Sequence, residues 1–268
     1  MKILSLGDIH GRDKWMFHTH GSPYEFNLWK ISVENGAPGD CEFWNDMPYM
    51  EYDKIIFVGD YSDSYDLSNE TILSNLRNII FFKKNLPNKV VLLLGNHDVQ
   101  YLVHGQICSG FRSEMNLDLN QLLSDKECDF KIAHQEIDNE GKTWLWTHAG
   151  VTQDWLDQVR NETLNPNYRL YEIVKDYENA NVADFVNMLW GIKNDRIFDV
   201  DPSSGGLALY AGPIWVRRSL DDSPLKDTHQ IVGHTPQNSI KVIWAKGSTH
   251  HYIDCLWDDC DEALKIKI

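Results

Sequence analysis

No stretch of this 268-residue chain is apolar for long enough to cross a bilayer. The first apolar run, Ile3 to Leu6, stops at Gly7-Asp8, too soon for the core of a signal peptide. Cysteine is sparse: Cys41, Cys108, Cys128, Cys255 and Cys260, an odd number with no Cys-x-x-Cys pair. That argues against a disulfide scaffold and predicts reduced thiols in a cytoplasmic protein. Positive charge is also short, with 25 Lys and Arg against 40 Asp and Glu and a formal net charge of −15. Nucleic-acid backbones and anionic membranes would repel such a chain, so neither non-specific nucleic-acid binding nor membrane association is expected. There is no internal repeat, no low-complexity tract and no Gly/Pro/Ser-rich linker, which predicts a single domain over residues 1–268.

Short apolar runs punctuate the chain. They are Lys2–Leu6, Ile55–Val58, Val90–Leu94, Thr143–Trp146 and Gln230–Val232. Runs of this length bounded by glycine suit strands buried on both faces. Between them, Ile72, Leu73, Leu76, Ile79 and Ile80 follow a helical period within Glu70–Lys84, with Ser68 or Asn69 as cap. Leu117–Leu123, Gln153–Val159, Tyr168–Tyr177 and Val182–Leu189 are further helical patterns. Phe130–Ile137 and Thr143–Trp146 flank Asp138-Asn139-Glu140-Gly141 and read as a hairpin. Residues 240–268 alternate strand-like runs with turns. Residues 13–52 show little periodicity and read as a long insertion beside the site.

Each apolar run ends in groups able to bind metal. Gly7-Asp8-Ile9-His10 offers a carboxylate and an imidazole, and Gly59-Asp60-Tyr61-Ser62-Asp63 offers two carboxylates. Gly95-Asn96-His97-Asp98 adds an amide oxygen, an imidazole and a carboxylate. His148-Ala149-Gly150 and Gly233-His234-Thr235-Pro236 each add an imidazole. Any one of these could be a helix cap or a solvated turn. All five together, just beyond strand ends where α/β sheets gather their functional groups, point to a shared site. Oxygen and nitrogen donors without thiolate favour Mn²⁺, Fe, Zn²⁺ or Mg²⁺.

In order and content, these blocks resemble the calcineurin-like metallophosphoesterases from Asp8 to about Asp254. The His-Ala-Gly and Gly-His-Thr-Pro blocks are most similar to the phosphoprotein-phosphatase branch, which includes diadenosine-tetraphosphatase-like enzymes. The resemblance implies an αββα sandwich, two mixed sheets face to face with helices outside. It implies two divalent ions, manganese favoured: Asp8, His10 and Asp60 holding the first, with Asp60 bridging, and Asn96, His148 and His234 completing the second. It implies hydrolysis of phosphate monoesters by a hydroxide that the two ions activate. His97 would be the general acid, with Asp63 orienting it. The substrate would be a phosphoprotein or a nucleotide.

Where the branch usually continues Asp-Arg-Gly, this chain reads Asp63-Ser64-Tyr65, so a phosphate-gripping arginine is missing. Trp215-Val216-Arg217 resembles the branch's Trp-x-Arg block and makes Arg217 the expected clamp, ahead of Arg12 and Arg218. Asp254 is expected to be structural, and His18, His20, His250 and His251 to be solvated. Two other functions stay open. One is hydrolysis of dinucleoside polyphosphates or other nucleotides, with Trp15, Tyr24, Trp29 and Trp44 as a stacking wall or simply as core. The other is a metal-binding module without turnover.

Overall fold

A computed structural model describes residues 1–200, 206–217, 219–256 and 261–268. The first sheet contains β1 (Lys2–Leu6), β2 (Lys54–Phe57), β3 (Val90–Leu92) and β9 (Leu264–Lys267), in the order β3-β2-β1-β9. The second contains β4 (Ala133–Ile137), β5 (Thr143–Thr147), β6 (Thr228–Val232), β7 (Lys241–Ala245) and β8 (Ser248–Tyr252), in the order β4-β5-β6-β8-β7. Both sheets are mixed: β1, β2 and β3 run parallel, as do β5, β6 and β8, while β9, β4 and β7 pair antiparallel.

Alternation along β1 assigns its two faces. Ile3 joins Ile56 of β2, Trp146 of β5 and Ile231 of β6 in the core between the sheets, and Trp146 Nε1 donates to Ser5 Oγ at 2.9 Å across that gap. Leu4 and Leu6 belong instead to the larger core that includes Ile72, Leu76 and Ile79. Those three lie on α3 (Asn69–Asn85), and Ser68 caps this helix by accepting from Thr71 N at 3.2 Å. On the second sheet, Leu145 shares the larger core with Phe185 and Leu189 of a helix over Val182–Gly191, which Asn181 caps at Asp184 N, 2.9 Å. The four-layer sandwich expected from the sequence is therefore present.

The hairpin forms as expected, its turn held by Asp138 Oδ1 accepting from Glu140 N and Lys142 N, both at 2.9 Å. Its first strand is shorter than the apolar run suggested. Lys131 pairs with Leu93, the residue just past β3, and only from Ala133 does the chain join β5 of the second sheet. The run from Phe130 thus crosses between sheets. Tyr168–Tyr177 also differs from expectation. It gives one α turn over Tyr171–Val174 and a 3₁₀ turn over Lys175–Tyr177, because Val174 is the only side chain of the two turns that is buried.

Residues 13–52 are more regular than expected. They form α1 (Trp15–His20), α2 (Pro23–Glu34) and 3₁₀ turns over Glu42–Trp44 and Pro48–Glu51. Ser22 caps α2 by accepting from Glu25 N at 3.1 Å, with Pro23 in the first turn. Trp15, Trp29 and Trp44 are buried in the core, and Trp29 Nε1 donates to Gly39 O at 3.0 Å. They offer no stacking wall to a ligand. Tyr24 is exposed.

His20 is the larger correction. It is fully buried, with ring centroids 4.9–5.0 Å from those of Phe26, Trp29, Tyr49 and Phe82. Thr19 Oγ1 donates to Trp15 O, so it accepts from His20 Nδ1 at 2.8 Å. His250 is buried too, with Nδ1 2.7 Å from Asp221. His18 is half-buried and pairs with Asp261 at 2.9 Å, and His251 is half-buried.

Burial pulls the pKa of His20 from 6.5 down to about 3. The unfolded chain therefore takes up a proton near pH 6.5 that the folded chain refuses until about pH 3. This contribution is complete above pH 6.5 and is lost as pH falls through that window. Its slope approaches about 1.4 kcal/mol per pH unit. In urea unfolding at pH 8 and pH 5, His20→Leu should lose markedly less stability on acidification than the parent chain.

Candidate metal centre

Four of the five strand ends line one cavity of about 640 Å³ with Asp8, His10, Asp60, Asn96, His97 and His234, among others, and the fifth brings His148 up behind Asn96 and Asp60. The backbone there is unusual. His10, Asp60, Asp63 and His234 have φ of 44°, 52°, 60° and 62°. Non-glycine residues in the left-handed region are uncommon, and they concentrate where function holds them. Here each turns its chain sharply off a strand, so that neighbouring side chains point back over the sheet edges. Glycines admit the close approach. A Cβ on Gly233 would lie 1.9 Å from Asp8 Oδ1, and one on Gly95 would lie 2.0 Å from Asp60 Oδ1.

Two donor groups result, each converging within 4.8 Å: Asp8, His10 and Asp60, and Asp60, His148 and His234. Asp60 belongs to both. The imidazole orientations agree with ligation. His10 Nδ1 lies 3.0 Å from Ser62 O, and His148 Nδ1 lies 2.9 Å from Val58 O. A carbonyl only accepts, so each Nδ1 carries a proton and each Nε2 is the ring atom turned toward the carboxylates, where a cation would take the place of its proton. His148 Nε2 stands 3.0 Å from Asn96 Oδ1 and 3.3 Å from Asp60 Oδ2. His234 Nε2 is buried with no hydrogen-bond partner, and Trp215 packs edge-on against the ring at 5.6 Å.

The electrostatics also ask for a cation. Asp8, Asp60 and Asp254 are all buried. Burial, then the charges of Asp254 and Asp60, push the Asp8 carboxyl well above its ordinary range. Burial acts the same way on Asp60, but the His148, His97 and His10 imidazoles outweigh it and hold this carboxyl low. Burial, with His148 and Arg217 nearby, keeps His234 neutral, the form that ligates. Oxygen and nitrogen donors, an orphaned buried imidazole nitrogen and crowded acids all fit a divalent metal. Asp254, expected to be structural, also lines the cavity, where its charge acts on Asp8.

His97 Nδ1 donates to Asp63 Oδ2 at 3.1 Å. Burial opposes a charge on His97, yet Asp60 and the Asp63 bond overcome this and push it up to about 12. Arg217 lines the cavity and donates from Nη1 to His234 O at 3.1 Å. Arg12 does not line the cavity; it grips Asp66 with two bonds of 3.0 and 3.2 Å. Arg218 lies outside the described residues.

The sequence offers Asp98 as a further carboxylate of the third block without giving it a role. Its buried carboxylate accepts from Asp60 N at 2.7 Å, Tyr61 N at 2.9 Å and Gly95 N at 2.9 Å, bracing two of the strand ends. The signal was there: an acid three residues past Gly95 is the spacing of a helix-capping box.

A model of the calcineurin-like phosphoesterases matches residues 1–259, and the chain belongs to this family. Members use divalent metals, and the chain is a hydrolase of the metallophosphoesterase type. Among solved structures it is similar to a cold-active protein tyrosine phosphatase, with TM-score 0.50 and 16% identity over 94% of this chain and 69% of the other. It is also similar to a protein provisionally assigned as a diadenosine tetraphosphatase, with TM-score 0.40 and 13% identity over 99% of this chain and 92% of that one. A dimetal phosphatase from Danio rerio matches with TM-score 0.35 and 11% identity, covering 94% and 86%. No curated protein matches significantly.

Gly233→Ala tests the cradle around Asp8. The new methyl group must displace the carboxylate, so Mn²⁺ affinity by titration calorimetry should fall about 10–100-fold. Circular dichroism should report an intact fold. An unchanged isotherm would remove Asp8 from the donor set.

Proposed function

We propose that the protein hydrolyses phosphate monoesters with two divalent cations, Asp8, His10 and Asp60 holding one and Asp60, Asn96, His148 and His234 the other. The observation that carries this reading is Asp60, whose carboxylate stands in both donor groups. Carboxylate, amide and imidazole donors without thiolate suit Mn²⁺, Fe, Zn²⁺ or Mg²⁺, and the family resemblance favours manganese among them. When bound, the cations supply Lewis acidity, which acidifies water and neutralises phosphoryl charge. The chain's own residues do the rest. Arg217 is the only Arg or Lys lining the cavity among the described residues, and it grips the phosphoryl oxygens in place of the arginine missing at Ser64. His97, held by Asp63 through Nδ1, donates its Nε2 proton to the leaving oxygen. The cytoplasm suits such a protein, since the described cysteines, Cys41, Cys108, Cys128 and Cys255, are free thiols.

Asp60→Asn removes the shared charge. Bound metal should fall below two per chain and turnover should vanish while the fold persists; two tightly held ions with near-normal activity would overturn the reading. For Arg217→Ala, one charge-assisted hydrogen bond is at stake. The expected result is a kcat/KM at least about tenfold lower, with weaker inhibition by inorganic phosphate. Wild-type behaviour toward both would place the clamp elsewhere.

A further inference from the structure

Asp63 has more partners than a residue that only orients His97 requires. Its side chain is fully buried, on a backbone with φ of 60°. Oδ2 accepts from His97 Nδ1 and also from Gln100 Nε2. Oδ1 accepts from the Tyr101 hydroxyl at 2.5 Å. Both oxygens are therefore fixed, and the carboxylate has one orientation in which to hold the imidazole.

Both holders reach onward to the same loop. Gln100 Oε1 accepts from Cys108 N at 3.0 Å, and the Tyr101 oxygen accepts from Arg112 N at 3.0 Å. Phe111 stacks on the Tyr101 ring, with centroids 5.1 Å apart. Between those anchors, Gly110 has φ of 82°, and a Cβ there would sit 3.2 Å from Asp63 Cβ. The stretch Gly105–Ser109 lines the cavity that the metal donors face, and Ile107 is largely exposed at it. One loop thus touches the substrate space on one side and the Asp63–His97 pair on the other.

We propose that Gln100 and Tyr101 are positioning residues for the His97 proton donor, and that through them the loop lining the cavity sets the donor's alignment with the leaving oxygen. This rests on the reading of His97 as general acid. In the step concerned, the bond from phosphorus to the leaving oxygen breaks with its electron pair on oxygen. That oxygen takes the His97 proton and leaves a neutral imidazole. A misaligned donor slows this step for poor leaving groups, which need the proton, far more than for good ones.

The test compares Tyr101→Phe, Gln100→Leu and His97→Ala with the parent enzyme, all Mn²⁺-loaded, on an alkyl phosphate and on p-nitrophenyl phosphate. For Tyr101→Phe and Gln100→Leu, the loss of kcat on the alkyl ester should exceed that on the aryl ester by at least about tenfold, part of the roughly 10²–10⁴-fold due to a general acid. KM should change little. A second readout needs no turnover. In the metal-free protein, Gln100→Leu should raise the rate of Cys108 alkylation, followed by peptide mass spectrometry, several-fold, because the loop loses its anchor at Cys108 N. Equal losses on both esters, or unchanged Cys108 labelling, would overturn the proposal. If His97→Ala shows the leaving-group split and the other two variants do not, the proposal fails and the general acid stands. If His97→Ala shows no split, both fall. Tyr101→Phe keeps the ring and its packing, so the comparison survives if Gln100→Leu folds poorly.

Discussion

Three carboxylates, Asp8, Asp60 and Asp254, lie out of water around one cavity. Buried charge of one sign is costly unless something of the other sign faces it, and much of the structure around the cavity answers that demand. Imidazoles of His10, His97 and His148 crowd Asp60. The backbone N–H of His234 donates to both oxygens of Asp8, at 3.1 and 2.9 Å. Asp60 Oδ1 accepts from His97 N at 3.0 Å. Left-handed turns at His10, Asp60 and His234, and glycines whose missing side chains leave room for the acids, follow from packing these groups so tightly. The same constraint explains how a chain of formal charge −15 could accept an anionic substrate: cations held by these donors would reverse the sign locally.

What the sequence made legible was local. An apolar run followed closely by a ligand-type residue with glycine beside or near it is written within a few positions, so β1, β2, β5 and β6 and the terminal Asp8, Asp60, His148 and His234 could be picked out one by one. Helix α3 was legible for the same reason, its cap and its buried stripe lying within one segment. The family resemblance then assembled the pieces. Tertiary decisions were less visible. Lys131 takes its place beside Leu93, which nothing in the run from Phe130 announces. Helix α2 buries only Phe26 and Trp29, while Leu28 and Ile31 face outward, so its apolar pattern is blurred although Ser22-Pro23 marks its start.

Histidine was the residue most easily misjudged. His20 and His250 carry no local mark that separates them from solvated histidines; only the aromatic side chains folding around His20, and Asp221 reaching His250, decide their state. The arginines show the converse. Arg12, Arg217 and Arg218 were comparable from sequence beyond the Trp215 resemblance. Geometry separates two of them, since Asp66 occupies the Arg12 guanidinium while Arg217 opens on the cavity.

The donor groups are split between the sheets. Asp8, His10, Asp60 and Asn96 follow β1, β2 and β3, whereas His148 and His234 follow β5 and β6. A cation gripped by both sets would add a cross-link to the side-chain packing and the few hydrogen bonds, such as Trp146 Nε1 to Ser5 Oγ and His148 Nδ1 to Val58 O, that already join the two layers. Binding and folding then share one free energy. A ligand present at a hundred times its dissociation constant adds about 2.7 kcal/mol to the folded state. The metal supply of the cell would thus act on how long the protein survives as well as on how fast it works.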